Sequence, residues 1–320
     1  MARFLTQRLI SSFISIIGAT LVIFLLVQLH NDPRELYVPD SGYGLTEEQW
    51  EMLGEKMGFN DPLPIQYWNW ISGAFIGDFG VSLAQQVPVR DIIQNRMRAT
   101  IELAIGGWAF AILLGIPTGV FAAVKRGTFW DYIARGVAII GQGAPPFVIG
   151  LLLIVIFAVW LQDTPFYLPA AGRPPQFDFR NYILPCVALG WPAAAGLMRL
   201  TRSAMLEVLD SEFVKLARAK GVGWNKVIYK HALKNALITP LTSALLLFSG
   251  WLNGALVIEI IFGWPGIGYD ALFTAVNDND FPLLQGTVFF FVIIFVIFAL
   301  LADLLYTIID PRVRLTGGEK

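Results

Sequence analysis

Runs free of Asp, Glu, Lys and Arg divide the chain into apolar segments separated by polar ones. The runs cover residues 9–29, 103–124, 136–162, 181–198, 235–258 and 281–302. A helix needs about 20 apolar residues to cross the hydrocarbon core of a bilayer. The pattern therefore predicts an all-α integral membrane protein with six transmembrane helices. The fourth run is the shortest, and Pro185 and Pro192 are expected to interrupt it. Pro117 lies inside the second run and Pro145-Pro146 inside the third. Proline removes a backbone donor and kinks a helix, which a membrane tolerates where neighbours or a cavity satisfy the freed groups. The stretch Gly-Gln-Gly-Ala-Pro-Pro at 141–146 thus reads either as a flexing point or as a packing irregularity. The first run exceeds the roughly 7–15 residues of a signal-peptide core. Val27-Gln28-Leu29-His30 also offers no small-residue cleavage site, so this run is expected to stay as an anchor helix.

The polar stretches carry their own signals. In the long segment 30–99, Thr46-Glu47-Glu48-Gln49 reads as a capping box, with a short helix running to Met57. Trp50, Leu53 and Met57 form one apolar stripe on it, Gly54 weakens it, and Gly58-Phe59-Asn60-Asp61-Pro62 ends it. Tyr67, Trp68, Trp70, Phe75 and Phe79 then suggest either a segment lying in the membrane interface or one packed against the outer helix ends. Phe262-Gly263-Trp264-Pro265-Gly266-Ile267-Gly268-Tyr269 reads as a tight re-entrant or surface turn. Asp278-Asn279-Asp280 follows it. Two carboxylates make a poor cation site, and solvated loop charge is the expectation. No repeat of 20–50 residues is visible, and residues 316–320 read as a short polar tail.

Composition agrees with the spans. Of 320 residues, 56% are hydrophobic and 15% charged, against about 25% charged in soluble domains. A net charge of −1 gives no basic bias towards nucleic acid. The single cysteine, Cys186, excludes an intrachain disulfide and reads as a buried hydrophobe. With the N-terminus in the cytoplasm, sixteen Lys/Arg fall on the cytoplasmic side and seven outside. The positive-inside rule therefore predicts both termini in the cytoplasm. Eight of the sixteen lie in the polar island 199–234: Arg199, Arg202, Lys215, Arg218, Lys220, Lys226, Lys230 and Lys234. The island's acids are Glu207, Asp210 and Glu212.

Several chemistries are missing. The chain lacks the G-x-x-x-x-G-K-[ST] phosphate loop. Its two histidines, His30 and His231, fall on opposite sides of the membrane in this topology. The carboxylates at membrane depth, Glu102, Glu259 and Asp303, sit at span ends and read as interfacial groups reaching headgroup water. An ion-coupled carrier would want charges nearer the midplane or inverted repeats. A solute moved uphill would then draw its energy from another polypeptide, and the basic island is where that polypeptide could grip. A scaffold without transport is the third reading.

The island resembles the cytoplasmic coupling loop of binding-protein-dependent ABC importer permeases. Its centre, Ala217-Arg218-Ala219-Lys220-Gly221, is followed by His231-Ala232-Leu233-Lys234-Asn235-Ala236-Leu237, as in the peptide-importer branch. Against the general Glu-Ala-Ala-x-x-x-Gly form, only Ala217 and Gly221 match. Further similarity lies in Asp61-Pro62-Leu63-Pro64, Gly77-Asp78-Phe79-Gly80, Glu259-Ile260-Ile261-Phe262, Trp264-Pro265-Gly266-Ile267-Gly268 and Asp310-Pro311-Arg312-Val313-Arg314. The family's Pro-Gly-Asp-Pro after the first span is His30-Asn31-Asp32-Pro33 here.

The resemblance implies the permease subunit with a long outer segment, of type I importer fold, in a bacterial or archaeal plasma membrane. It partitions the chain into an anchor helix (1–29), an outer segment (30–99), a five-helix core (100–309) holding the coupling loop 199–234, and a tail (310–320). Implied partners are a second homologous permease, two ATP-binding subunits and an outer substrate-binding protein, with ATP and Mg bound by the partners and no cofactor in this chain. Coupling to the ATPase falls on Glu212, Ala217, Arg218, Ala219, Lys220, Gly221 and Val222. Ala217 and Gly221, four apart, are expected on one helix face. Outer gating or docking falls on Trp264, Pro265, Gly266 and Gly268. For Arg199, Arg202, Lys226 and Lys230 singly, plain orientation charge is the expectation. Relatives on this scaffold carry dipeptides, oligopeptides, glutathione, nickel chelates or oligosaccharides, so the solute stays open.

Overall fold

The computed structural model describes residues 2–30, 46–58, 60–170, 172–174 and 176–309. The turn after His30, the run Asp310-Pro311-Arg312-Val313-Arg314 and the tail lie outside the described residues. So do the side chains of Trp50, Leu53, Met57 and Asp303.

The described residues are helical almost throughout. The order is α1 (Ala2–His30), α2 (Glu47–Met57), α3 (Leu63–Phe75), α4 (Val89–Val124), α5 (Phe129–Gly143) and α6 (Pro146–Leu153), which runs into a π-helical turn, Ile154–Trp160. Next come α7 (Phe179–Leu209), α8 (Glu212–Ala219), α9 (Trp224–Lys226), a π turn Val227–Ala232, α10 (Leu233–Ala236), α11 (Ile238–Gly254) and α12 (Leu256–Phe262). A last π turn, Gly268–Phe273, leads to α13 (Thr274–Asn277) and α14 (Phe281–Ile309). The one β contact among the described residues is an isolated bridge between Val81 and Pro88.

α1, α4, α7 and α14 are each long and apolar enough to cross a membrane, and the α5–α6 pair passes the same test as one bent unit. Two expectations change. α7 is continuous for 31 residues with Pro185 and Pro192 inside it, so the fourth run is not interrupted. The third run is instead divided at Pro145-Pro146, where the helix direction turns by 105°. The fifth run is carried by α10, α11 and α12 in succession rather than by one helix.

The chain forms two compact units, residues 1–98 with 266–296 and residues 99–265 with 297–320. In the first, the aromatic segment packs on helices. The Tyr67 hydroxyl lies 2.8 Å from Thr20 Oγ1, and its ring meets Phe24 edge-on. Trp70, Phe75 and Phe79 surround Phe289. That favours the packing alternative for these rings, while Trp68 stays exposed. The capping box forms as expected, with Thr46 and Gln49 exchanging backbone and side-chain hydrogen bonds. Asp280 departs from its expected solvation. It is fully buried and accepts hydrogen bonds from the Ser82 hydroxyl, Ala84 N and Leu283 N. The first turn of α14 has orphan N–H groups that a carboxylate satisfies, which is why burial costs this acid little. Asp278 is exposed as expected.

In the second unit, α4 and α7 approach through glycine. A Cβ on Gly115 would lie 2.7 Å from the Ala194 carbonyl, and one on Gly119 would lie 2.6 Å from that of Met198. Small residues at such spacing let membrane helices touch backbone to backbone. Cys186 is buried in this unit, as its sequence context predicts.

Candidate functional site

The polar island is built from the end of α7, then α8, then residues 224–236. Ser211 stands at the N-cap of α8 in extended conformation, and Glu212 occupies the first turn, where the helix dipole favours an acid. Lys215 reaches Glu212 at 2.8 Å, and that carboxylate raises the pKa of the ammonium. Both side chains are well exposed, so water screens the pair and it fixes little of the fold. Val214 is the inward residue of α8, fully buried. Beneath it, Val227, Ile228 and Ala232 are buried too.

The outward face is mixed. Phe213, Leu216, Trp224 and Tyr229 are exposed large apolar side chains. Arg218 sits over the Trp224 ring, 5.1 Å from its centroid, a stacking that holds a cation against an apolar surface. Ala217 and Val222 are half-buried, whereas Arg218, Ala219, Lys220 and Gly221 are exposed.

Gly221 does not share a helix face with Ala217. α8 stops at Ala219, Lys220 caps it, and Gly221 follows with φ +77°. Val222 N donates to Ala217 O at 3.2 Å and Gly221 N to Arg218 O at 3.0 Å. This is the paired hydrogen-bond closure that glycine makes just past a helix end. Residues four apart share a face only where the helix continues through both. Glycine ended it because it enters the left-handed region without a Cβ penalty. A Cβ there would meet nothing within 4 Å, so the constraint at 221 is conformational and not steric.

The outer candidates lie inside their own units. Trp264 is fully buried, donates from Nε1 to Ala99 O at 2.8 Å and meets Tyr182 edge-on. Gly266 and Gly268 are buried, and Pro265 is half-buried. As surface for a docking partner, this run offers little beyond Pro265.

Three charged clusters escaped sequence reasoning. Glu259 is fully buried and accepts from Thr100 Oγ1 at 2.7 Å, so it does not reach headgroup water. Glu102 receives Arg173 through Nε and Nη2 and the Tyr182 hydroxyl at 2.8 Å. The hydrogen-bonded Glu102 carboxylate raises the Arg173 pKa. Asp131 is buried and takes both forks of Arg202, at 2.8 and 2.9 Å. Arg202 is therefore more than an orientation charge. Asp131 had one signal: it is the lone acid between Glu102 and Asp163.

Known proteins agree with this architecture. Residues 115–315 match the family described as "Binding-protein-dependent transport system inner membrane component". Residues 1–104 match that system's N-terminal membrane component family. The chain is 34% identical over 315 residues to "Glutathione transport system permease protein GsiC" of Escherichia coli (strain K12), covering 98% of this chain and 99% of that protein. It is 36% identical over 340 residues to "Dipeptide transport system permease protein DppB" of Alkalihalophilus pseudofirmus, covering 98% and 100%. The fold is similar to a chain in "Crystal structure of an amino acid ABC transporter with histidines", with TM-score 0.50, 16% identity and coverage of 68% of this chain and 93% of that one. The chain belongs to the permease family of binding-protein-dependent ABC importers, as a multi-pass component of the inner membrane.

Proposed function

We propose that this permease forms half of a translocation pathway beside a second homologous permease, with two ATP-binding subunits on its cytoplasmic face and a substrate-binding protein outside. ATP and Mg belong to the ATP-binding subunits. Six crossings complete the topology: α1, α4, the α5–α6 pair, α7, the α10–α12 run and α14, with both termini cytoplasmic. The excess of Lys/Arg on that side supports this orientation. The names of the glutathione and dipeptide relatives support a small peptide as the solute. Ligand identification on the outer binding protein decides between that and a nickel chelate or oligosaccharide.

The observation that carries the reading is the surface of α8. Phe213, Leu216 and Arg218 are exposed on this short helix closed by Gly221, and Arg218 stacks on the exposed Trp224 of α9. An apolar ridge with a stacked arginine fits a groove on a partner protein. Glu212 and residues 217–222 are the coupling contact, and closure of the ATPase pair drives α8 as a rigid body. Gly221→Val tests it in the reconstituted complex. A β-branched side chain cannot adopt φ +77° without strain, so the closure at 217–222 opens. The variant should insert normally, lose transport at least about tenfold, and hydrolyse ATP without response to loaded binding protein. Normal transport by Gly221→Val would sink the assignment. Gly221→Ala should fall between, because left-handed alanine costs about 1–2 kcal/mol.

A further inference from the structure

The Asp131–Arg202 pair is built with more precision than folding requires. Asp131 Oδ1 takes Arg202 Nε at 2.8 Å, and Oδ2 takes Arg202 Nη2 at 2.9 Å and Gly127 N at 3.0 Å. Arg135 approaches Oδ1 to 3.5 Å from one turn along α5. The Asp131 side chain is 1% exposed and that of Arg202 19%. Replacing a buried ion pair by apolar groups is often neutral for stability, so stability alone does not call for this one. A planar fork on a carboxylate does fix direction as well as distance.

Position gives the fork its meaning. Arg202 stands seven residues before the end of α7, about 10 Å along the axis at the helical rise, and α8 begins three residues after that end. Asp131 is the third residue of α5, which runs twelve residues on to Gly143 and the 105° break. Above the fork, Ala122, Ala138, Ala195 and Met198 pack together, and a Cβ on Gly141 would strike the Trp191 indole. α5 therefore lies along α7 as one stiff piece, and the fork pins its cytoplasmic end to the segment that carries α8.

We propose that Asp131 and Arg202 are positioning residues for transport: their fork passes displacement of α8 through α7 to α5 and so to the Pro145-Pro146 break. The proposal rests on α8 being the ATPase contact. Packing alone would hold α5 in place but would let its end swing. The fork removes that swing.

Asp131→Asn and Arg202→Lys test this in the reconstituted full complex, read as solute moved per ATP hydrolysed alongside thermal unfolding and subunit co-purification. Asp131→Asn keeps shape and loses charge; Arg202→Lys keeps charge and loses the fork. Both should retain assembly and ATPase within about twofold of wild type. Both should move at least about fivefold less solute per ATP, the size of effect a transmitted coupling of 1–3 kcal/mol allows. Arg202→Lys matching wild type would overturn the role of the fork. Equal loss of ATPase and transport, or loss of assembly in both variants, would overturn it in favour of a purely structural pair. Gly221→Val in parallel separates the two ideas. If that variant transports normally, the α8 contact is wrong; if it uncouples and the fork variants do not, only the relay is wrong.

Discussion

α7 and the α5–α6 pair contain the same helix breaker and end up opposite. α7 carries Pro185 and Pro192 and runs unbroken for 31 residues, as α4 does around Pro117. Between α5 and α6 the chain turns by 105°. The difference is adjacency. Proline pushes the residue before it out of the α region, and a single displaced preference can be overcome by packing. At Pro145-Pro146 the first proline is itself a residue before proline. It sits at φ −59°, ψ 142°, and Ala144 before it at φ −87°, ψ 125°. Two consecutive extended residues leave no helix to continue. The break is thus a local instruction, whereas continuity in α7 is supplied by its neighbours, among them α4 at its close glycine contacts.

If continuity of α7 is tertiary, removing its backing should do the most damage. In Gly115→Leu a side chain enters where even a Cβ lies 2.7 Å from Ala194 O and 2.8 Å from Leu197 Cβ. Backbone cannot yield as a side-chain tip can, so the cost should reach about 3 kcal/mol or more, the upper range for overpacking. The expected result is a large loss of monodisperse protein in detergent and a lowered unfolding temperature. Wild-type yield with unchanged unfolding would break the claim that α4 holds α7. Next in size is the double variant Pro145→Ala with Pro146→Ala. It restores two helix-compatible residues and should straighten the α5–α6 junction while the chain still inserts. Spin labels on α5 and α6 should move apart, and transport should fall about tenfold. An unchanged distance would shift the cause of the bend to contacts such as that of Gly150 with Phe262.

The same division between local and tertiary causes decides what could be read along the chain. Apolar runs and the Thr46–Gln49 capping box are local, and they were legible; Pro145-Pro146 stood out only as a flexing point or a packing irregularity, while the interruption was expected at Pro185 and Pro192. Gly221 was legible as important but not as a helix terminator, because its left-handed φ depends on where α8 stops. Asp280, Glu259 and Asp131 looked like ordinary polar positions. Their partners Ser82, Thr100 and Arg202 stand 198, 159 and 71 residues away, and no pattern along one chain pairs residues at such separations. Trp264 was singled out beside glycines as an outer feature. Its burial came from contacts with Ala99 and Tyr182, which lie far from it in sequence.

The smallest expected effect makes the sharpest version of the comparison. Pro192→Ala gives α7 back one N–H donor at a position where the helix already continues. Proline in an exposed soluble helix interior costs about 3 kcal/mol relative to alanine, but α7 continues as helix through Pro192, so packing already offsets part of that cost. The gain should therefore be a fraction of it, seen as a rise of a few degrees in unfolding temperature, with transport within about twofold of wild type. The contrast with the Pro145/Pro146 double variant is the point. One removes a proline whose effect packing has already overridden; the other removes two that direct the chain. Were Pro192→Ala to cost as much transport as the double variant, α7 would contain a working kink within its continuous helix. Adjacency would then no longer explain why one run bends and the other does not.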